Sequence, residues 1–511
     1  MFVSACGSPL TTEPNILITE RTVAVTDLKE KAIRGGVARL LAQATFFAVR
    51  IGTLAVLARL LDPKDFGLVG MVTALTGVLT IFRDFGLSSA TVQRTDVTND
   101  QLSTLFWVNM AVGLLLTVAL WIAAPIIVIL YHEPRLFWVT IALSGSFFIN
   151  AAGVQHSAIL QRHMRFTALA AIQIISLVAS TALGVTFAIL GFGYWALVVM
   201  TFVLPVVSTV GFWLMAPWIP GRPRKNVGVR PMMRFGGTVT VMSVLVYAAY
   251  NLDKILLGRF WGAEALGIYG RSYQIISIPT DNLNSTFSEI AFATLSRLQH
   301  DPVRLKSYFL KGYSLIIALT VPMTIAIGLF PQDLITVILG AKWNDAAPIL
   351  RLLAPTILIF AFINPLGCLL YSIGAVGRCL KVSLVLTPLV TIAYLIGLPY
   401  GPKGVAIAFS TVMTLWAGPH IAWGIHGTVV SFRDILATIG PPLLSGIVAG
   451  AAAFAVEVSW GPMLSPILRL FIGTTVLLSV YILMLLHVMG QKPLFMDLLQ
   501  GLKGRANPKS D

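Results

Sequence analysis

The chain has 511 residues, of which 57% are hydrophobic and only 11% charged, with a formal net charge of +15. A water-soluble globular chain carries about 25% charged residues, so a chain this poor in charge has little water to face. Composition therefore excludes a soluble enzyme or a nucleic-acid-binding domain, and points to a membrane protein.

The first segment, 1–34, is polar and reads as a cytoplasmic disordered tail. Its "VSAC" ends in Cys6 like a lipoprotein cleavage box, but too few residues precede it for the apolar core of about 7–15 residues that a signal peptide needs. The remaining thiols, Cys368 and Cys379, have no metal-ligand spacing and imply no disulfide framework.

Beyond the tail, long unbroken apolar stretches dominate, such as "LFWVNMAVGLLLTVALWIAAPIIVIL" and "LIIALTVPMTIAIGLF". Spanning hydrocarbon takes roughly 20 such residues per helix, and a lipid-facing β-barrel would alternate apolar and polar residues instead. Fourteen helices are predicted near 36–60, 66–92, 102–131, 135–160, 166–190, 193–218, 235–258, 265–292, 309–330, 346–372, 379–399, 403–425, 434–456 and 463–488. Lys and Arg concentrate on the alternate loops that lie on the same side as the N-terminus. The run "GRPRKNVGVRPMMR" is the densest example. By the positive-inside rule that side is cytoplasmic, and an even helix count puts both termini there. The net charge is then a matter of topology rather than of nucleic acid.

The chain repeats itself. "RLLDPKDFGLVG" at 59–70 answers "RFWGAEALGIYG" at 259–270: Arg59, Gly67 and Gly70 recur as Arg259, Gly267 and Gly270. Arg34 and Gly36 match Arg234 and Gly236 at the same offset, and "FIN" at 148–150 recurs at 362–364. Six helices separate the copies, so both have the same orientation. The predicted architecture is two parallel six-helix lobes around a central cavity. The N-lobe is 35–219, a cytoplasmic linker is 220–234, and the C-lobe is 235–425. Helices thirteen and fourteen (434–488) are appended, and 489–511 is a second cytoplasmic tail. Parallel repeats recur among transporters, with the substrate between them.

Polar stripes mark the helices that would line such a gap. The first carries Arg39, Gln43 and Arg50; the second Thr73, Thr76, Thr80 and Arg83, with Asp84 beside them. The seventh carries Tyr247, Asn251 and Lys254, with Asp253 adjacent; the eighth carries Arg271, Tyr273, Ser277, Asp281, Asn284 and Glu289. A charge at bilayer depth costs at least about 2.5–3.5 kcal/mol on insertion scales, so it needs a cavity or a partner. Arg39, Gln43, Arg50, Arg83, Asn251, Lys254, Arg271, Tyr273 and Asn284 are the candidate substrate-binding residues. Asp84, Asp253, Asp281 and Glu289 are the candidates for ion coupling or gating. Each charge has a structural alternative: Arg39 and Arg271 can snorkel to the interface, Arg83 can pair with Asp84, and Asp253 can pair with flanking charges. A basic cavity with hydroxyls and amides suits an anionic, hydroxyl-rich cargo. The glycine corners at 67/70 and 267/270 are expected either to pack lobe against lobe where the outer gate closes or to be common helix-packing glycines with no moving role.

Two stretches, "LARLLDPKDFGLVGMVTALTGVLTIFRDFGLSSATVQR" and "NLDKILLGRFWGAEALGIYGRSYQIISIPTDNLNSTFSEIAFATLSRLQ", resemble the polysaccharide-transport family of the multidrug/oligosaccharidyl-lipid/polysaccharide exporter superfamily. The similarity is to its Wzx-type lipopolysaccharide and exopolysaccharide branch and covers roughly 30–425. The resemblance implies a V-shaped pair of lobes and alternating access. It implies a cargo of oligosaccharide repeat units on undecaprenyl diphosphate, carried across the bacterial inner membrane, with no cofactor or resident metal. Possible partners are a coupling proton or sodium ion and a polymerase and chain-length complex. It also implies that basic residues, here Arg39, Arg50, Arg83, Lys254 and Arg271, meet the diphosphate. A drug or small-molecule exporter and a peptidoglycan-precursor flippase of the same superfamily remain alternatives. A membrane polysaccharide polymerase or glycosyltransferase is disfavoured, because the loops are too short for a catalytic domain and no nucleophile or metal motif is present. His132, His156 and His163 read as structural or interfacial.

Overall fold

A computed structural model describes residues 45–84, 98–224, 230–460, 463–493 and 495–496; among these the regular structure is all helical, with no strand. Arg39 and Gln43 lie outside the described residues, as do the side chains of Arg83, Asp84 and Glu289. The helices are α1 (45–60), α2 (Pro63–Asp84), α3 (Asn99–Tyr131), α4 (Leu136–Arg162), α5 (Phe166–Ile189) and α6 (Trp195–Met215). A single rod, Arg230–Arg297, follows. Gly262, at φ 82°, breaks it into two limbs, α7 (230–261) and α8 (263–297). Only glycine takes that backbone conformation without strain. Then come α9 (Pro302–Leu329), a short α10 (Pro331–Ile338), α11 (Ala346–Leu353), α12 (Pro355–Ser372), α13 (Val376–Gly397), α14 (Gly401–Ile425), α15 (Phe432–Trp460) and α16 (Pro466–Leu483). With α11 and α12 forming one span, the described residues hold fourteen spanning helices. Nine of their stretches are long and apolar enough to cross a membrane on composition alone.

Capping decides where several helices begin. α3 starts upstream of the hydropathy boundary because Thr98 and Gln101 form a reciprocal capping box. α9 starts at Pro302 rather than 309: Asp301 accepts a hydrogen bond from the Arg304 N–H, and Pro302 loses no donor in the first turn. Hydropathy sees only the apolar part of such a helix.

Helices α3 to α6 pack on one another, as do α12, α13 and α14, while α2 lies along α7 and α8. The largest buried cluster runs across that seam, joining Leu57, Leu61, Phe66, Leu68, Leu257, Leu266 and Trp343. A second cluster fastens α15 and α16 to α9: Tyr481 Oη donates to the Ala318 carbonyl at 3.0 Å. On the outside, large apolar side chains such as Ile122, Ile126 and Ile129 of α3 are exposed, as hydrocarbon contact requires. His156 is structural: its ring stacks on Trp213 at 4.3 Å and its Nε2 lies 3.1 Å from the Trp218 carbonyl.

The segment 331–345, between the predicted helices 309–330 and 346–372, is folded. It forms α10 and a 3₁₀ turn, Ala341–Trp343, and reaches across to the N-terminal half. Trp343 is fully buried and its Nε1 donates to the Ala58 carbonyl at 2.8 Å. Arg59 donates to the Val337 carbonyl at 2.7 Å, and Lys342 pairs with Asp62 at 2.9 Å.

Candidate functional site: a polar cavity between the two halves

The same end of the molecule brings the repeated glycine corners together. A methyl group built on Gly67 would lie 1.6 Å from the Ala263 carbonyl oxygen, and one on Gly267 would lie 1.9 Å from that of Pro63. Both positions therefore demand glycine, each half's corner meeting the other half's backbone. Gly70 is only in ordinary contact with Leu266, and Gly270 has open space where a side chain would go. Nearby, Trp261 of α7 donates to the Leu398 carbonyl at 2.8 Å, tying in the α13–α14 turn.

Below this closed end, α2, α7 and α8 surround a cavity of about 450 Å³. Its wall includes Thr73, Tyr247, Asn251, Lys254, Arg271 and Tyr273, with Ser277 and Asp281 farther along α8. The helical spacing explains the convergence. Residues three or four apart share a face, so α7 presents Tyr247, Asn251 and Lys254, while α8 presents Tyr273, Ser277 and Asp281. Three helices seen as polar in the sequence thus supply one wall each.

Lys254 Nζ donates to the Asn251 side-chain carbonyl at 2.6 Å and lies 4.8 Å from the centre of the Tyr273 ring, a cation–π contact. Arg271 stacks on Phe66 of the other half, with its guanidinium carbon 4.3 Å from the ring centre, and donates to the Gln274 side chain. Its Nε is buried with no hydrogen-bond partner. Neither cation has a carboxylate within ion-pair distance among the described residues. Two half-buried cations whose hydrogen-bond partners are neutral groups and which lie against aromatic faces leave charge available to an anion.

Asp253 sits differently. It is fully buried beside the cavity, accepting from Tyr269 Oη at 2.8 Å and from the Lys254 backbone N–H at 2.8 Å. It does not line the cavity wall. Asp281 is exposed to it and feels the opposite charges of Arg50 and Lys254. Arg50, on α1, is exposed and reaches the site through that field rather than by contact. Asn284 is half-buried one turn beyond Asp281, outside this wall. Phe66 and Gln274 were missed in the sequence: Phe66 breaks no hydropathy rule, and Gln274, although three residues before Ser277 on the same face of α8, was passed over. Their roles follow only from the meeting of α2 with α8.

A family described as "Polysaccharide biosynthesis protein" matches residues 56–348, which contain α2, α7, α8 and both glycine corners. The lipopolysaccharide biosynthesis protein WzxC of Escherichia coli is 26% identical over 395 residues, covering 76% of this chain and 80% of WzxC. The teichuronic acid biosynthesis protein TuaB of Bacillus subtilis is 31% identical over 339 residues, covering 64% of this chain and 68% of TuaB. Among solved structures, the inward closed conformation of the lipid II flippase MurJ superposes with a TM-score of 0.71 at 13% identity, covering 91% of this chain and all of MurJ. An inward-facing multidrug-resistance transporter of the MOP superfamily superposes at 0.58 with 17% identity, covering 79% of this chain and 98% of its own. The two structural likenesses establish the fold. The chain belongs to the polysaccharide biosynthesis protein family, whose model spans more than half of it.

Proposed function

We propose that this protein is a flippase that moves oligosaccharide repeat units, linked to undecaprenyl diphosphate, across the bacterial inner membrane by alternating access. The observation that carries the reading is the pair Lys254 and Arg271, half-buried in the cavity wall at the seam between the halves, whose hydrogen-bond and ring partners are neutral. A diphosphate needs such a site; a cationic drug would be repelled by it. The ammonium offers a point charge and the guanidinium a planar fork of donors, which together match two linked phosphates. The polar wall of hydroxyls and amides suits the glycan beyond them. The likeness to the lipid II flippase is one of fold alone, whereas the sequence relatives named above belong to lipopolysaccharide and teichuronic acid biosynthesis.

In this reading the end closed by Gly67, Gly267 and the 331–345 segment faces the periplasm, and both termini lie in the cytoplasm, where the Lys- and Arg-rich loops belong. Cargo enters from the inner leaflet, draws the cations to its diphosphate, and leaves when the glycine corners part. Asp253 and Asp281, with Asp84 and Glu289, are the carboxylates available to a coupling proton or sodium ion. The protein carries out no covalent chemistry of its own, and the polymerase and chain-length proteins that would receive its product act on the far side.

The test is genetic and chemical. Deleting the gene should leave lipid-linked repeat units trapped on the cytoplasmic leaflet and stop surface polysaccharide, and the wild-type chain should restore both. Normal polysaccharide in the deletion strain, with no trapped intermediate, would remove the reading.

A further inference from the structure

The central cavity does not end at the seam. A second cavity of about 250 Å³ shares Tyr250, Tyr273, Ser277 and Asp281 with it and adds Asn364 of α12. A third, of about 260 Å³, shares Tyr250 and Asn364 with the second and lies wholly between C-terminal helices α7, α12, α13 and α14. The three adjoin, each sharing wall residues with the next, from the seam into the C-terminal helices.

Chemistry changes along this series. At the seam the wall carries Lys254, Arg271 and Asp281. Among the described residues the inner chamber has no Lys, Arg, Asp or Glu in its wall, which carries Asn364, Ser383, Thr387 and His420 together with Tyr250 and Tyr371. Moreover, His420 Nδ1, in this wall, has no hydrogen-bond partner among the described residues. A buried donor or acceptor left unpaired is costly, so such a group persists where something else satisfies it. Neutral hydrogen-bonding groups flanked by aromatic faces are what a sugar ring needs: hydroxyls around its rim, apolar C–H faces above and below.

We propose that this C-lobe chamber holds a neutral sugar ring of the cargo while the seam holds its diphosphate, and that Asn364 and His420 select the glycan. The assignment rests on the flippase reading for the diphosphate, but the chamber's preference for sugar is separable from it. Selection belongs in such a place, because a site built to hydrogen-bond a hydroxyl rejects an analogue lacking it far better than an apolar site rejects an extra methylene. The diphosphate and the lipid are the same for every cargo of this class, so a seam that recognises only them cannot choose among glycans.

Cys379 lies in the chamber wall and reports its occupancy. With Cys6 and Cys368 replaced by serine and alanine, the full-length protein in detergent is labelled at Cys379 with a maleimide. The labelling is run alone, with inorganic pyrophosphate, and with a panel of neutral mono- and disaccharides at millimolar concentration. Thermal stability is recorded in parallel. The expected result is that at least one saccharide slows Cys379 labelling while pyrophosphate does not, and that pyrophosphate raises the melting temperature. Asn364→Ala and His420→Ala should each weaken the saccharide effect by about five- to tenfold, the loss of one hydrogen bond, and keep the pyrophosphate response, which certifies their fold. Protection by no saccharide, or protection unchanged in both variants, overturns the chamber. Loss of the pyrophosphate response in the wild type, with saccharide protection intact, would instead count against the diphosphate site alone.

Discussion

Gly67 approaches the Ala263 carbonyl so closely that any side chain on it would occupy the same space, and Gly267 repeats the approach to Pro63 from the other half. This reciprocal contact is where the internal repeat of the sequence becomes mechanical. Substituting Gly67 or Gly267 by leucine should hold this end of the seam apart. A cysteine placed at Thr73, in the cavity wall, should then react from outside with a membrane-impermeant maleimide in the Gly67→Leu background and stay unreactive with Gly67 in place. Equal reactivity in both would show that the corners pack without gating.

The segment 331–345 should contribute very unequally through its two contacts. Lys342 and Asp62 are each more than half exposed, and exposed ion pairs are worth about 0–1 kcal/mol. Trp343 is fully buried against Ala58 and Phe66, and truncating a buried tryptophan costs about 3–5 kcal/mol. Lys342→Ala should therefore leave the melting temperature nearly unchanged, while Trp343→Ala lowers it markedly and opens Thr73→Cys to outside labelling.

The appended helices should prove sensitive to small volumes. A methyl group on Gly446 would lie 2.4 Å from Val321, and one on Gly473 would lie 2.3 Å from the Phe330 ring. Overpacking of this kind costs about 1–3 kcal/mol. Gly446→Val and Gly473→Val should each lower thermal stability, and limited proteolysis should cut first between α14 and α15.

Asp333, on the short helix α10, is buried, and burial holds its carboxyl above the usual carboxylate range even though Arg469 lies 3.6 Å away. A raised carboxyl binds a proton more tightly in the folded state. Its stabilising contribution is present below the ordinary value near 3.9 and is lost as pH rises through the raised value. Asp333→Asn should flatten this part of the stability–pH curve, measured as melting temperature from acid to neutral pH; an unchanged curve would remove Asp333 from the balance.

Much of this was legible in the sequence, for reasons that can be named. Tyr247, Asn251 and Lys254 announce a cavity-facing stripe because hydrocarbon tolerates no such spacing, and the repeat pairs α7 and α8 with α1 and α2 before any contact is known. The glycine corners were visible as a repeat, though only the structure separates Gly67 and Gly267, which admit no side chain, from Gly270, which does. Arg50 stood out as a lone charge, but its exposure and its distance from the wall depend on how α1 leans. The C-lobe chamber was invisible: Asn364, Ser383 and His420 come from three helices and form no stripe on any of them. Likewise, nothing local in "LGAKWND" foretells that Trp343 is buried under α1, because that burial is made by residues nearly 300 positions away.

The most direct measurement is transbilayer movement of a fluorescent polyprenyl-diphospho-oligosaccharide in proteoliposomes, comparing wild type with Lys254→Gln and Arg271→Gln. Wild type should move the lipid, and each variant should be at least tenfold slower, with the loss of a charge-assisted hydrogen bond worth about 1.5–3 kcal/mol. Movement as fast in both variants as in the wild type would contradict the placement of the diphosphate at the seam, and no movement by folded wild type would contradict the flippase itself.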